Sequence, residues 1–434
     1  MSPEFSGASG DREPLRRLSV ALFTLLAVRM IFHAFYVPAY EGPDEPFHLA
    51  RAAMFADETP ARALQGREVS GVIVASIAAH PCSPDLRRSF GCPPFEHSGA
   101  FNLLSRTGAA SPAGGYPNYE AHQPPLVYLV VGVLFRMLPK SPEGRLLFFR
   151  LLSVAAILLA VAVPLRRLVG SESRFAVAGL LLGLLPGAAE ALARGSNDAA
   201  VFAWAALVLE RTFHRGRSWE IVGLLAIGPL MKLTAFPIVA VVVVFLWLAT
   251  RRGTAVFGAI ASFLVFAAQA GRGWLWGGSL ELNTGKLPGG ETAAMWANGL
   301  ARSAYTFVKT VFWLGEWSFF RAPLILVVGW FGLVAALAVL VARSWRRRGA
   351  PLPDLAGLTS AVSACLVFAV LHRGVFGQWG GLGGYYAWSW APWLFLASRP
   401  VLSPLRGRGL VLLGAFVVAA NLCWVQKALS LYGI

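Results

Sequence analysis

Long apolar runs separated by short, arginine-rich polar segments are the most regular pattern in this chain. A run of about 20 apolar residues can cross the roughly 30 Å hydrocarbon core of a membrane as a helix. The runs do not alternate in segments of about ten residues, as strands of a membrane β-barrel do. The pattern therefore predicts an all-α polytopic membrane protein with about eleven spans. The predicted spans are 18–38, 147–168, 175–194, 198–212, 219–231, 233–250, 254–270, 322–342, 355–372, 386–398 and 408–428.

Two further apolar stretches begin at Gln123 and Ser303, and whether they cross decides the orientation of every later span. If neither crosses and the N-terminus is cytoplasmic, every arginine cluster between spans lies on the cytoplasmic face, as membrane proteins prefer. If the Gln123 stretch crossed, the clusters near residues 166, 211 and 251 would all move outside. We therefore expect both stretches to be juxtamembrane helices at the outer surface.

This orientation divides the chain into a cytoplasmic N-terminus (1–17) and two membrane modules. The first module (18–250) contains a long outer loop at 39–145, and the second (251–434) contains an outer loop at 271–321. The first apolar run is too long for the core of a signal peptide and is interpreted as an uncleaved span. The expected location is therefore the cell (inner or plasma) membrane, with a functional site on the extracytoplasmic side.

The positive charge of the chain does not indicate a nucleic-acid partner. The chain is 56% hydrophobic and 14% charged, with a formal net charge of +16. Such a charge could attract nucleic acid, but the arginines lie in short clusters between apolar runs instead of in one basic domain. They are interpreted as signals of orientation, and no nucleic-acid partner is expected.

Two cysteines, Cys82 and Cys92, share the first outer loop. In an extracytoplasmic loop they could form a disulfide that closes a short hairpin, and this pairing is predicted. Two free thiols are the alternative. A metal site would require two further ligands nearby.

The segment EGPDEPFHLARA places Asp44, Glu45 and His48 just after the first span. Pro46 suits the first turn of a helix, and Asp44 or Glu45 would be its N-cap. A helix N-terminus favours the anionic form of a carboxylate, which could then act as a base or bind a cation. The alternative is ordinary capping, although capping explains only one of the two acids.

Three later segments also place polar side chains at the predicted outer face. Glu120 and His122 precede a Pro-Pro pair, where the alternative is a solvated helix breaker. Asn197 and Asp198 lie in a short turn between spans, where a cap is the alternative to a functional role. Lys232 lies between two apolar runs, and it could bind a phosphate or extend to the surface.

Arg321, His372 and Arg373 are predicted to lie outside, against the usual bias of positive charge towards the cytoplasm. An anionic lipid headgroup would explain their position. Several tryptophans occur in the same outer segments, and most are expected to belong to an interfacial aromatic belt.

Taken in order, these segments resemble the GT-C superfamily of membrane glycosyltransferases, which includes protein O-mannosyltransferases and lipid A aminoarabinose transferases. That family carries an acidic DE motif after its first span, similar to Asp44-Glu45 here. The segment HQPPL at His122 is similar to its HPPL helix start, with one inserted residue. Asp198 matches a second acid in an outer turn, and KLTA at Lys232 is also similar. The segment PDEPFHLARA is also similar to the corresponding segment in a bacterial subgroup of predicted membrane proteins of unknown function. The resemblance covers about the first 250 residues.

The resemblance implies an inverting hexosyl- or pentosyltransferase that moves a sugar from a polyprenyl-phosphate carrier to a glycan, lipid or protein acceptor. It implies that Asp44 is the catalytic base, with Glu45 beside it. The residues expected to bind acceptor or sugar are His48, Glu120, His122, Asn197 and Asp198. The residues expected to bind the lipid phosphate are Lys232, Arg321, His372 and Arg373. Asp44 and Asp198 could hold a divalent cation such as Mg²⁺ or Mn²⁺. The competing interpretations are a transporter or flippase for a lipid-linked sugar and a non-catalytic assembly factor.

Overall fold

The computed structural model describes residues 12–40, 42, 44–65, 68–79, 116–118, 121, 123–213, 216–232, 235–275, 292–313, 322–349, 351, 385–405 and 407–432, with isolated positions at 355, 358 and 366. Nearly all of this described chain is helical, apart from a two-residue antiparallel pairing of β1 (Glu68–Val69) with β2 (Tyr116–Pro117). The helices are α1 (Arg12–Tyr36), α2 (Glu45–Asp57), α3 (Pro60–Gln65), α4 (Gly71–Ala79), α5 (Leu126–Phe135), α6 (Pro142–Ser171), α7 (Ser173–Gly183), α8 (Pro186–Leu192), α9 (Asp198–Phe213), α10 (Ser218–Met231), α11 (Phe236–Leu248), α12 (Arg252–Leu275), α13 (Ala293–Phe312), α14 (Leu324–Arg348), α15 (Tyr385–Leu402) and α16 (Gly407–Tyr432).

Five of these helices are long and apolar enough to cross a membrane, namely α1, α6, α12, α14 and α16. The pair α7 and α8 would make a sixth span, which is bent by 71° at the break between the two helices. The protein is therefore an all-α polytopic membrane protein, as predicted. A helix lies at ten of the eleven predicted spans, and the remaining one, 355–372, lies mostly outside the described residues.

The two stretches predicted not to cross contain helices α5 and α13. Helix α5 has ten residues, so it extends about 15 Å and is too short to cross the hydrocarbon core. Helix α13 is longer but is not among the helices that are apolar enough to span. Helices α10 and α11, at two predicted spans, are also shorter than 18 residues. The juxtamembrane position of both stretches therefore stays a prediction.

A small apolar core beneath α2 and α5 holds the outer loop against the membrane bundle. Phe47, Phe55, Phe135 and Phe149 are almost fully buried in it. Gly132 allows α2 and α5 to approach closely, because a Cβ at that position would lie 2.5 Å from the Cβ of Phe55. This packing fixes the position of α2, whose first residues form the candidate site.

The ends of the helices separate the polar residues into two groups. Helix α1 ends, α9 begins and α10 ends at the pole where Asp44, Asp198 and Lys232 lie. The opposite pole carries arginine–glutamate pairs, among them Arg167 with Glu210 and Arg399 with Glu172. The predicted functional motifs and the main arginine clusters are therefore at opposite ends of the bundle.

Candidate functional site

The turn between α1 and α2 presents Asp44 in an unusual backbone conformation. Tyr40 and Asp44 have φ angles of 70° and 62°, in the left-handed region that residues other than glycine seldom adopt. Such residues occur often at functional sites, where the surrounding structure holds them in place. Asp44 is the N-cap residue of α2, but its half-buried side chain makes no capping hydrogen bond. The capping alternative therefore does not explain the Asp44 carboxylate.

Glu45, the next residue, is completely buried in an ion pair with Arg150. The Arg150 guanidinium donates through Nε to Oε1 at 2.8 Å and through Nη2 to Oε2 at 2.6 Å. The backbone N–H of Gly42 also donates to Oε2 at 3.1 Å. Burial by itself would raise the pKa of the Glu45 carboxyl group. Arg150 and the backbone donors outweigh burial and hold this pKa below its ordinary value, so Glu45 stays ionised.

Arg150 also binds the end of α1. Its Nη1 donates to the carbonyl oxygen of Ala34 at 3.2 Å, and its Nη2 donates to that of Pro38 at 2.8 Å. These carbonyls belong to the last turn of α1 and the residues after it, which have few partners within the helix. One side chain from α6 therefore fixes both the exit from α1 and the entry into α2. Sequence analysis missed Arg150, although an arginine inside the predicted span 147–168 was a usable signal.

A second contact holds the other side of the turn. The Tyr40 hydroxyl lies 2.6 Å from Oγ of Ser76 on α4, and Ser76 donates to the carboxylate of Glu143 at the start of α6. Ser141 accepts the backbone N–H of Gly144 at 3.2 Å and so caps α6. The turn that carries Asp44 is thus anchored at Glu45 by Arg150 and at Tyr40 by this chain of hydroxyl groups.

Asp198 forms the centre of a second buried cluster. Its Oδ1 accepts from Nζ of Lys232 at 2.6 Å, and its Oδ2 accepts from Nη2 of Arg194 at 2.5 Å and from Oγ of Ser196 at 3.2 Å. Asp198, Arg194 and Lys232 are all buried. Lys232 therefore does not extend to the surface, which was the alternative from sequence. Two buried cations therefore contact one carboxylate in this cluster.

Asn197 lies beside this cluster and is fully buried. Its Nδ2 donates to the carbonyl of Met231 at 3.3 Å. Its Oδ1 is buried and accepts no hydrogen bond from the described residues. This oxygen could accept a hydrogen bond from a bound molecule, for example from a hydroxyl group.

The two clusters meet through the backbone. The N–H of Gly195 donates to Oε1 of Glu45 at 3.0 Å, across a sequence separation of 150 residues. A side chain at Gly195 would crowd Leu146, since its Cβ would lie 2.9 Å from Cδ1 of that residue. The structure therefore brings the predicted motifs at residues 44–48, 197–198 and 232 to one place.

His48 is buried on α2 and its Nδ1 lies 2.8 Å from the Tyr128 hydroxyl on α5. Asn118 donates to the carbonyl of Phe47 at 3.1 Å and so attaches the segment before α5 to the same helix. Sequence analysis missed Tyr128, although a tyrosine inside the apolar run LVYLVV was a usable signal. His48 thus faces α5, the helix that follows the HQPPL segment.

Several predicted site residues cannot be placed. Those outside the described residues are Glu120, His122, Arg321, His372, Arg373, Cys82 and Cys92. Among the described residues, no three His, Cys, Asp or Glu side chains could hold a metal ion together. A metal at Asp198 would have to compete with Lys232 and Arg194, which contact its two oxygens. These contacts leave Asp198 as a partner of cations from the protein itself. The possible divalent cation at Asp44 and Asp198 stays a prediction.

Comparison with known proteins gives one family and one solved structure. A protein-family model described as "Predicted membrane protein (DUF2142)" matches residues 26–384. A crystal structure of ArnT from Cupriavidus metallidurans bound to undecaprenyl phosphate is similar, with a TM-score of 0.48 and 18% sequence identity. The similarity covers 93% of this chain, whereas this chain spans 63% of the ArnT chain. No curated protein matches.

Proposed function

The chain belongs to the DUF2142 family of predicted membrane proteins, and we propose that it is an inverting glycosyltransferase. The proposed reaction moves a sugar from a polyprenyl-phosphate carrier to a hydroxyl group of a glycan, lipid or protein at the extracytoplasmic face. One observation carries the proposal. The strained turn that presents Asp44 lies against a buried cluster in which Lys232 and Arg194 both contact Asp198, and the Glu45–Gly195 hydrogen bond joins the two. A carboxylate beside a cationic pocket suits proton removal combined with departure of a phosphate.

Asp44 is the proposed base. Its carboxylate would take the proton of the acceptor hydroxyl while the hydroxyl oxygen bonds to the anomeric carbon. The bond from that carbon to the carrier phosphate oxygen breaks in the same step, which inverts the configuration. A base within hydrogen-bond reach typically contributes about 10²–10⁴-fold to the rate. The left-handed backbone at Asp44, held by the contacts of Tyr40 and Glu45, supports this role.

Lys232 and Arg194 are the proposed groups that stabilise the departing phosphate. They are buried and share the single carboxylate of Asp198. Such preorganised charges are more effective away from water, because less solvent screens them. The sequence analysis named Lys232 but not Arg194. Arg321, His372 and Arg373 stay predictions for the same role.

We assign Glu45 a positioning role in place of the catalytic role expected from sequence. Both of its carboxylate oxygens accept from Arg150 and each also accepts a backbone N–H, from Gly42 or Gly195. In these contacts it orients the turn that carries Asp44. His48 and Asn197 stay proposed for acceptor or sugar binding, and Asn197 is supported by its buried Oδ1. Asp198 was expected in the same role, but we propose instead that it holds Lys232 and Arg194 in place.

The test uses purified protein in lipid nanodiscs with radiolabelled polyprenyl-phosphate sugars. Release or transfer of sugar is compared between wild type, Asp44→Asn and the matched control Glu58→Gln, which removes an exposed carboxylate at the other end of α2. We expect turnover to fall at least about 100-fold in Asp44→Asn, with carrier binding retained. Glu58→Gln should match wild type. Equal turnover in Asp44→Asn and wild type would show that Asp44 is not the catalytic base.

A transporter for the lipid-linked sugar is a second candidate, favoured by a buried polar cluster inside the membrane bundle. The Arg29 guanidinium of α1 lies 4.1 Å above the Trp424 ring of α16, and Trp424 donates to Glu190 of α8 at 2.8 Å. Neither Nη atom of Arg29 has a hydrogen-bond partner among the described residues. Ionisable side chains within spans, next to a broken helix such as α7–α8, are typical of transporters.

The two candidates separate in one experiment. Proteoliposomes that contain a fluorescent lipid-linked sugar report movement between leaflets, measured with an impermeant quencher. Transport would require movement that is lost in Arg29→Gln and retained in Asp44→Asn. The glycosyltransferase proposal expects no protein-dependent movement in either variant.

A further inference from the structure

The arginines at the pole opposite the candidate site differ in how they are neutralised. Arg16 and Arg17 interact with Glu13, Arg167 with Glu210, and Arg399 with Glu172. The protein itself therefore supplies acidic partners for these arginines.

Three exposed arginines near the end of α14 have no acidic partner among the described residues and lie close together along one helix. Arg343, Arg346 and Arg347 make no ion pair or hydrogen bond with the described residues. Their spacing of i, i+3 and i+4 places them on one face of the helix. They therefore present three neighbouring positive charges whose counter-charge must come from outside the described protein.

The rest of α14 indicates where that counter-charge lies. Among the five candidate spans, α14 is the least enclosed, with 11% of its apolar window buried. Leu324, Ile325 and Val328 are strongly exposed near its start, so lipid is its main neighbour there. The start of α14 packs against the end of α13, since Trp330 donates to the Val308 carbonyl at 2.7 Å. The end of α13 in turn contacts Gly187 of α8, the helix that leads into Arg194 and Gly195 of the site. A helix of 25 residues extends about 37 Å, which brings its arginines to the opposite membrane surface.

We propose that Arg343, Arg346 and Arg347 form a binding site for the headgroups of anionic phospholipids. Guanidinium groups bind phosphate oxygens with paired hydrogen bonds, and basic clusters directly beside a span attract anionic lipids. The partner is a lipid because the adjacent helix surface is apolar and exposed along the same span. The site is independent of the proposed glycosyltransferase activity.

Native mass spectrometry of the purified protein in detergent provides the test. Phosphatidylglycerol and phosphatidylcholine are titrated separately into wild type and R343Q/R346Q/R347Q. An arginine close to an anionic surface strengthens association about fivefold, so three give about 100-fold at most. We expect wild type to prefer phosphatidylglycerol and the triple variant to lose at least about tenfold of its affinity for it. Affinity for phosphatidylcholine should not change.

Two matched variants make the result specific. R343K/R346K/R347K keeps the charge and should keep most of the preference for phosphatidylglycerol. R16Q/R17Q removes two exposed arginines that already interact with Glu13, and it should bind like wild type. Unchanged phosphatidylglycerol affinity in the triple glutamine variant would overturn the proposal. An equal loss in R16Q/R17Q or in the lysine variant would also overturn it. The single variant R346Q repeats the test if the triple variant does not fold.

Discussion

The pair formed by Glu45 and Arg150 allows the structural account of the site to be tested without any substrate. In Arg150→Met, the buried carboxylate of Glu45 loses its counter-ion but keeps the N–H groups of Gly42 and Gly195. Removing one partner of a buried ion pair costs about 3–5 kcal/mol. The carbonyls of Ala34 and Pro38 also lose a donor, and each buried acceptor left without one adds about 1–3 kcal/mol. We therefore expect Arg150→Met to lower the free energy of unfolding by at least about 5 kcal/mol.

Glu45→Gln provides the matched comparison. The amide oxygen can still accept a backbone N–H, and Arg150 keeps its contacts with the end of α1. The loss should therefore be smaller than in Arg150→Met. In the double variant Arg150→Met with Glu45→Gln, no unpaired charge is buried, so its stability should exceed that of Arg150→Met alone.

Unfolding in detergent micelles can be followed by tryptophan fluorescence on heating, with the rate of irreversible unfolding as the readout where refolding fails. Arg302→Met, at an exposed arginine of α13, controls for the loss of a positive charge. A loss in Arg150→Met within about 0.5 kcal/mol of that in Arg302→Met would refute the role given to this ion pair.

Three further outcomes follow from the described contacts. The pKa of Glu45 is lower in the folded protein than in the unfolded chain, and so is that of Asp57, through its hydrogen bonds with Arg145. Their contribution to the stability of the fold is therefore complete above the pKa values of the unfolded chain, which are about 4. It is lost as the pH falls through the lower pKa values of the folded protein, and measurements of unfolding over a series of acidic pH values will show this loss. Gly42→Ala should destabilise the turn, because its Cβ would lie 2.4 Å from Cδ of Glu45; a melting temperature equal to wild type would contradict this. Removal of divalent ions with EDTA should leave the melting temperature unchanged, because Lys232 and Arg194 already neutralise Asp198; a clear decrease would indicate a structural metal.

The pattern of apolar runs was sufficient to predict the helices, because crossing a membrane requires long segments whose length and composition are local properties. The break between α7 and α8 was not predicted, although Pro186 at the start of α8 disrupts the hydrogen bonding of a continuous helix. The composition of α5 is strongly apolar and by itself would have suggested a membrane span. Only the positions of the arginine clusters predicted that this stretch does not cross.

The candidate site could be predicted only in part. Asp44, Glu45, Asp198 and Lys232 stood out because they lie at the ends of apolar runs opposite to the arginine clusters. Their pairing could not be predicted, because Glu45 contacts Arg150 and Gly195 across separations of 105 and 150 residues. A single sequence contains no direct information on such distant contacts. The left-handed conformation of Asp44 also depends on those contacts and not on its neighbours in the chain.

The hydrogen bond from Gly195 to Glu45 also has a consequence for biosynthesis. Glu45 leaves the ribosome 150 residues before Gly195, which corresponds to roughly 8–30 s at ordinary rates of translation. During this interval the acidic turn is already beyond the first span, α8 is completed only near the end, and α9 has not been made. The site can therefore form only after the helices on both sides of Gly195 have been inserted. A nascent chain that ends before that residue has the proposed base but lacks the pocket it would serve.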